Sequence, residues 1–442
     1  MITADTQPGD LSLPQVAEHA PATDSRPATR APRDGHWQLA IFAAATLLYT
    51  AMAFALHAEQ SVWDEWRYIE TAENMLEGFF IDAREPHIVG GPGYPLVLMP
   101  FLAMDVSLVW ARVLNGVFVG LTGVLIFQVV RHYAGRWWAL AAALMVAFHP
   151  NLARTTPTLM TEAISMFQIA AFLWLFTRAL RGDRGGAVWI VLSAAALGWL
   201  AMTRMIFGHV ILAMTVFSLA GLVVWRSQRI AMAKTVATMV LAFACCMPYL
   251  LHTRQLTGQF PCWTTTSGEL LYWFTSHHPG ENGHWFSDDD AMGLPELAPN
   301  HKAMFERVRQ MHILERNETL MNAAKENIRS APLAVANNWV CNISRLLFGF
   351  PRSFQREEAV TMLLLVFNGP LLLLLAGALG LWAVSRSSMP VEIAVLALLA
   401  FVYLGGASLA SALPRYLLPA LPIFWLIVGA QFQRNVRIRL AG

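Results

Sequence analysis

Residues 63–95 read WDEWRYIETAENMLEGFFIDAREPHIVGGPGYP and open on two adjacent carboxylates, Asp64 and Glu65, with Tyr68 one helical turn later. A carboxylate within hydrogen-bond reach of an acceptor hydroxyl can take its proton as that hydroxyl attacks. The plainer role for the same pair is to cap a helix and favour its positive end. Ile69, Ala72, Leu76 and Phe79 or Phe80 recur at spacings of three and four, while Glu70, Glu73 and Glu77 mark another face. The pattern predicts an amphipathic helix. Beside a membrane span such a helix lies in the interface plane. The Gly-Gly-Pro-Gly-Tyr-Pro run at 90–95 then breaks it and turns the chain back.

Other charged residues sit at the edges of apolar runs, where each needs a reason, since a charge at the centre of a membrane helix costs about 2.5–3.5 kcal/mol. Arg154 lies in HPNLARTTP, Glu162 in LMTEAIS, Arg204 in MTRM and Arg415, followed by Tyr416, in LPRYLLPALP. Arginine binds phosphate with a planar fork and keeps its charge, so several arginines with an acid pair suit a substrate with a phosphate leaving group. Singly, each arginine could equally reach out to lipid headgroups, and Glu162 after Thr161 could simply start a helix. A further polar cluster, TSHHPGENGHWFSDDD at 275–290, holds His277, His278, His284 and Asp288 to Asp290. These are metal-ligand types, but their spacing matches no metal signature, and no metal or cofactor is expected.

These residues must be positioned by a largely apolar chain. Of 442 residues, 56% are hydrophobic and 14% charged, against about 25% charged in a soluble domain. With a mean hydropathy of +0.46, this composition defines an all-α polytopic membrane protein. A net charge of +2 gives no argument for nucleic acid as a partner. Cys245 and Cys246 lie in an apolar run, and nothing in the sequence fixes the distance between Cys262 and Cys341.

Spans are expected at 37–58, 108–130, 137–150, 159–178, 187–203, 205–225, 232–251, 360–384, 391–411 and 415–432, about ten in all. Residues 96–104 are too short to cross. The expected domains are a disordered tail at 1–35, a transmembrane module at 36–251 including a first outer loop at 59–107, an outer domain at 252–358, closing spans at 359–433 and a basic tail at 434–442. No cleavable signal is expected, because the first apolar run starts late and is long enough to span. Residues 301–340 read as helical with a break at Pro332. Arg131, Arg136, Arg178, Arg181, Arg184, Arg226, Arg229, Lys234 and Arg386 fall in loops on one side with both termini. By the positive-inside rule that side is cytoplasmic, so Asp64, Arg154, Glu162, Arg204, Arg415 and 252–358 share the other. An Ala- and Arg-rich chain without organellar signals fits a bacterial inner membrane. No internal repeat is visible, which disfavours transporter folds built on one.

In this order the motifs resemble those of the GT-C class of integral-membrane glycosyltransferases, in particular the protein O-mannosyltransferases and the bacterial aminoarabinose (lipid A sugar) transferases. Asp64-Glu65-x-x-Tyr68 with Leu-Glu-Gly at 76–78 is similar to the family's first outer loop, and Gly-Pro-Gly-Tyr-Pro at 91–95 to the start of its next helix. The run from 134–136 through 149–150 to Thr161-Glu162 resembles its central helices. GWLAMTR at 198–204 resembles its Thr-Arg helix end, and Arg415-Tyr416 to Pro422 its closing segment. Residues 267–283 resemble its substrate-contacting outer loop, with His277-His278-Pro279 where Asn is more usual.

The resemblance implies a polyprenyl-phosphate-linked sugar as donor and a lipid, glycan or protein acceptor on the outer face. It implies Asp64 as base in an inverting single displacement, with Glu65 orienting it or the acceptor. Tyr68, Arg154, Glu162, Arg204, Arg415, Tyr416 and His278 would bind substrate, the arginines beside the departing phosphate. Two other classes stay open: a lipid-linked glycan transporter or flippase, which should tolerate Asp64→Asn, and a non-enzymatic envelope assembly protein, whose loss should change no lipid or glycan mass.

Overall fold

The structure, a computed structural model, describes residues 34–56, 63–354, 359–385, 389–410 and 412–436. The expected tail at 1–35 lies outside these except for its last two residues, as does the basic tail beyond residue 436. Among the described residues the regular elements are all helical. They are α1 (Gly35–Ala55), α2 (Glu65–Leu76), α3 (Pro95–Ala103), α4 (Val109–Tyr133), α5 (Arg136–Ala147), α6 (Pro150–Thr155), α7 (Glu162–Arg181), α8 (Gly186–Thr203), α9 (Ile206–Val224), α10 (Arg229–Cys245) and α11 (Met247–Thr257). The expected outer domain then forms α12 (Ser267–Thr275), α13 (Asp288–Gly293), α14 (Ala298–Val308), α15 (Ile313–Ser330) and α16 (Pro332–Phe348). The chain closes with α17 (Ala359–Ser385), α18 (Val391–Ser408), a 3-10 helix (Pro414–Ala420) and α19 (Leu421–Asn435).

With the 3-10 helix and α19 taken as one continuous segment, eight helices are long and apolar enough to cross a membrane, and α10 with α11, bent by 49°, makes a ninth. The chain is therefore a multi-pass membrane protein. The bend falls at Pro248, whose ring removes a backbone donor and clashes with the preceding turn. The span expected at 137–150 is shorter than its apolar run suggests: α5 has 12 residues, and His149-Pro150 opens the separate short helix α6. Even so, α5 joins opposite ends of the bundle. Gly135, just before it, donates to Gln433 near the end of α19, while α6 packs against the 3-10 helix that precedes α19. Helices α7 and α19 are the most enclosed, and α1 and α17 present most of their surface outward.

The loop between α1 and α4, expected to lie outside, is pinned by backbone contact. Gly93 N–H donates to the Met202 carbonyl at 3.0 Å, and the Trp199 indole donates to the Gly93 carbonyl at 3.0 Å. A Cβ on Gly91 would lie 2.1 Å from the Met202 oxygen, and one on Gly93 would lie 2.3 Å from Thr203 Oγ1. The glycines read as chain-turning in the sequence thus let the loop lie directly on the end of α8.

The segment expected to form an outer domain has its own core of Tyr272, Trp273, Phe286, Leu297, Phe305 and Leu320. Its helices break at Pro332 as expected, and also at 309–312. It docks on the first loop through Thr264 and Thr265, which hydrogen-bond Ile88, and through His312 and Ile313, which meet Arg84 and Glu85. Cys262 and Cys341 are both free thiols.

Candidate active site

Five charged side chains from four segments meet at one end of the bundle. Asp64 and Arg67 come from the start of α2, Glu162 from the start of α7, Arg204 from the end of α8 and Arg415 from the 3-10 helix. Asp64 occupies the N-cap position of α2, yet its side chain makes no capping hydrogen bond. Its carboxylate instead accepts from Arg67 Nη1 at 3.2 Å and from Arg415 Nη2 at 3.4 Å. The second nitrogen of Arg415, Nη1, lies 3.6 Å from Glu162 Oε1. That oxygen also accepts from Arg204 Nη2 at 2.7 Å, and Arg204 Nε donates to Ser165 Oγ at 3.2 Å. Arg415 therefore bridges the two carboxylates.

Exposure separates the two acids. The Glu162 side chain is 1% exposed and that of Asp64 34%, so a substrate can reach only the latter without rearrangement. Two atoms here are buried without a hydrogen-bond partner among the described residues: Glu162 Oε2 and Arg415 Nε. Unsatisfied buried polar atoms of this kind call for an explanation, and a ligand is one. Three arginines against two carboxylates leave the cluster net positive, as binding an anion requires.

Aromatic rings line the cluster. The Tyr416 ring carries the guanidinium of Arg204 at 5.7 Å and that of Arg415 at 5.8 Å. Tyr68 packs edge-on against Tyr94, with centroids 5.5 Å apart. Burial, and then the negative field of Asp64 and Glu162, pushes the Tyr68 hydroxyl up to about 12, so it keeps its proton and can donate. Arg154 is exposed at the rim, its guanidinium 5.2 Å over the Trp63 ring.

Two residues singled out in the sequence stand elsewhere. Glu65 is fully buried and turned away from Asp64; it accepts from the Leu159 N–H at 2.7 Å and from Arg112 Nη2 at 3.3 Å. Its carboxylate anchors α2 to α4 and to the turn before α7. His278 sits in the outer domain, 5.2 Å from the His301 ring and stacked on His277. Among the described residues no hydrogen bond, ion pair or ring contact joins it to the Asp64 cluster. Nor do the neighbouring acids group around it: Asp288 pairs with Arg316 at 2.7 Å, and Asp290 caps α13 with Ser287. No group of three metal-ligating side chains occurs among the described residues. Arg67 and Ser165 were not singled out. Their spacing was the available signal, since each lies three residues beyond an acid on the same helix face, Asp64 and Glu162 respectively.

Residues 91–252 match the family described as dolichyl-phosphate-mannose-protein mannosyltransferase. The resemblance to the GT-C class holds over this segment, which is under half of the chain but contains Glu162, Ser165 and Arg204. No curated protein matches the sequence. One similar solved structure is the archaeal oligosaccharyltransferase AglB from Archaeoglobus fulgidus, in complex with an inhibitory peptide and a dolichol-phosphate. It is 16% identical with a TM-score of 0.48, over 89% of this chain and 50% of that one. Another is ArnT from Cupriavidus metallidurans bound to undecaprenyl phosphate, 16% identical with a TM-score of 0.40, over 91% of this chain and 78% of that one. The chain thus spans about half the length of the oligosaccharyltransferase.

Proposed function

We propose that this protein is a GT-C type glycosyltransferase that moves a sugar from a polyprenyl-phosphate donor to an acceptor at the membrane face carrying Asp64. The observation that carries the reading is the half-exposed Asp64 carboxylate, tied through Arg415 to the buried Glu162–Arg204 pair. In the proposed step the acceptor hydroxyl gives its proton to Asp64 as its oxygen bonds to the sugar C1. The bond from C1 to the phosphate oxygen breaks on the opposite face, inverting the configuration. The leaving polyprenyl phosphate gains negative charge, which Arg204 and Arg415 stabilise.

Glu162 holds both arginines beforehand, so little reorganisation is needed when the phosphate arrives. Arg415 turns its fork from Asp64 to the phosphate, which leaves Asp64 to act as base. Tyr68 and the rim residue Arg154 contact substrate, Tyr416 supports the arginine pair, and Glu65 positions α2. Residues 252–358 form an outer domain over the site, on the non-cytoplasmic face of a bacterial inner membrane with both termini in the cytoplasm.

Purified protein should bind a polyprenyl phosphate saturably. Arg415→Gln should weaken that binding at least about tenfold, as loss of one charge-assisted contact to phosphate does. Unchanged affinity in both Arg415→Gln and Arg204→Gln would remove the phosphate from this cluster and with it the proposed donor.

A further inference from the structure

A second polar hollow, of about 400 Å³, opens at the other end of the bundle, between the start of α1 and the ends of α4 and α7. Helix α7 starts at Glu162 in the candidate active site and ends at Arg181 in the wall of this cavity. At 1.5 Å per residue the two sites are about 30 Å apart, which is the thickness of a bilayer's hydrocarbon core. The cavity therefore lies at the headgroup layer of the opposite leaflet, and a donor phosphate held by Arg204 and Arg415 cannot also occupy it.

Its wall carries Asp34, Arg131, Trp174, Thr177, Arg178 and Arg181. Arg131 pairs with Asp34 at 2.8 Å and Arg181 with Asp183 at 2.9 Å. Arg178 has no such partner. Among the described residues its half-buried guanidinium makes no hydrogen bond or ion pair, and lies 4.2 Å over the Trp174 ring and 5.1 Å over the Trp189 ring. Arg181 Nε is buried without a hydrogen-bond partner among the described residues. Basic residues commonly offset the last carbonyls of a helix or reach out to water. Neither role accounts for a guanidinium laid against two indoles, facing a hollow where cations outnumber carboxylates.

We infer that this cavity binds a phosphate ester, with Arg178 and Arg181 as its forks. Fork geometry matches phosphate oxygens, and a stacked guanidinium is already ordered before the ligand arrives. The same chemistry could come from a lipid headgroup or from a soluble phosphate. Trp174 and Trp189 beside the cavity, with Trp37 and Trp137 packed edge to face nearby, form an interfacial aromatic belt, which favours the lipid.

The test follows thermal unfolding of the full chain in neutral detergent during titration with phosphatidylglycerol, with phosphatidylcholine of the same chains, and with inorganic phosphate. Phosphatidylglycerol should stabilise saturably, and Arg178→Gln should raise the half-saturating concentration about fivefold, the effect of one basic residue near an anionic lipid. Arg178→Lys, which keeps charge but loses the fork, should fall between. Arg415→Gln, in the distant cluster, should leave the half-saturating concentration of phosphatidylglycerol unchanged even where it lowers the unfolding temperature itself, which separates this site from the proposed donor site. If inorganic phosphate reproduces an Arg178-dependent effect, the site stands and its ligand is soluble. Equal stabilisation by phosphatidylcholine that does not depend on Arg178, a phosphatidylglycerol effect that Arg178→Gln leaves unchanged, or no saturable effect from any ligand would overturn the inference.

Discussion

Adjacent residues on this chain have opposite fates. Asp64 is the N-cap of α2 and Glu65 opens its first turn, and a step of one residue turns the side chain by about 100° around the helix axis. Asp64 faces the arginines and solvent; Glu65 faces Arg112 and the Leu159 N–H inside the protein. The sequence marks both as acids near a membrane edge, and only the inward partners, far away along the chain, separate the exposed carboxylate from the buried anchor. Removing one partner of a buried ion pair leaves the other charge uncompensated, at a cost of about 3–5 kcal/mol. Glu65→Ala should therefore lower stability by that order, read as earlier unfolding in detergent, whereas Asp64→Asn should leave the unfolding transition nearly where it was. The reverse ranking would mean that the roles of the two acids are exchanged.

At the level of helices and loops, placement of Arg204 depends on how the glycine run meets α8. A side chain at residue 91 must displace the Met202 backbone, which a helix end cannot easily concede. Gly91→Ala should cost about 1–3 kcal/mol of packing and shift the Arg204 end of α8, so that binding of polyprenyl phosphate weakens as well as stability. Loss of stability with unaltered binding would show that the glycine contact does not position the arginine.

The outer domain makes a prediction of its own. Burial first, and then Arg345 and Arg352, hold the His284 imidazole down to about 3. Its Nδ1 is buried without a hydrogen-bond partner among the described residues. With the folded value depressed below the ordinary 6.5, the stability it contributes is complete above pH 6.5 and declines as pH falls towards 3. Between pH 6.5 and 5 the loss is about 1–2 kcal/mol. Amide protection factors in α12–α16, corrected for the intrinsic pH dependence of exchange, should fall over that interval, and His284→Gln should flatten the dependence. An equal fall in both proteins would place the sensitive group elsewhere.

Across the molecule, most of the helical layout was readable from apolar run lengths, because these report directly on the solvent around each segment. The edges of five apolar runs also pointed to Asp64, Glu162, Arg204, Arg415 and Tyr416, which the fold brings into one cluster. Tyr68 stands beside them, within the field of Asp64 and Glu162. The shortness of α5 was not readable, since its run is apolar to the end and only the break at His149-Pro150 divides it. His278 was placed by resemblance alone, and its actual neighbours, His277 and His301, are set by packing within the outer domain. Arg178 reads as one more basic residue at a helix end until the two tryptophans beside it are in place.

The measurement that tests the central claim most directly is mass spectrometry of the envelope lipids and glycans in three strains. One carries the protein, one lacks it, and one carries Asp64→Asn at equal membrane abundance. A catalytic base is worth about 10²–10⁴-fold in rate. A sugar-sized mass should therefore disappear, or nearly so, both without the protein and with Asp64→Asn. If the deletion loses the mass while Asp64→Asn keeps it, Asp64 is not the base and a transport role fits better. If no mass changes in either strain, the glycosyltransferase account itself is contradicted.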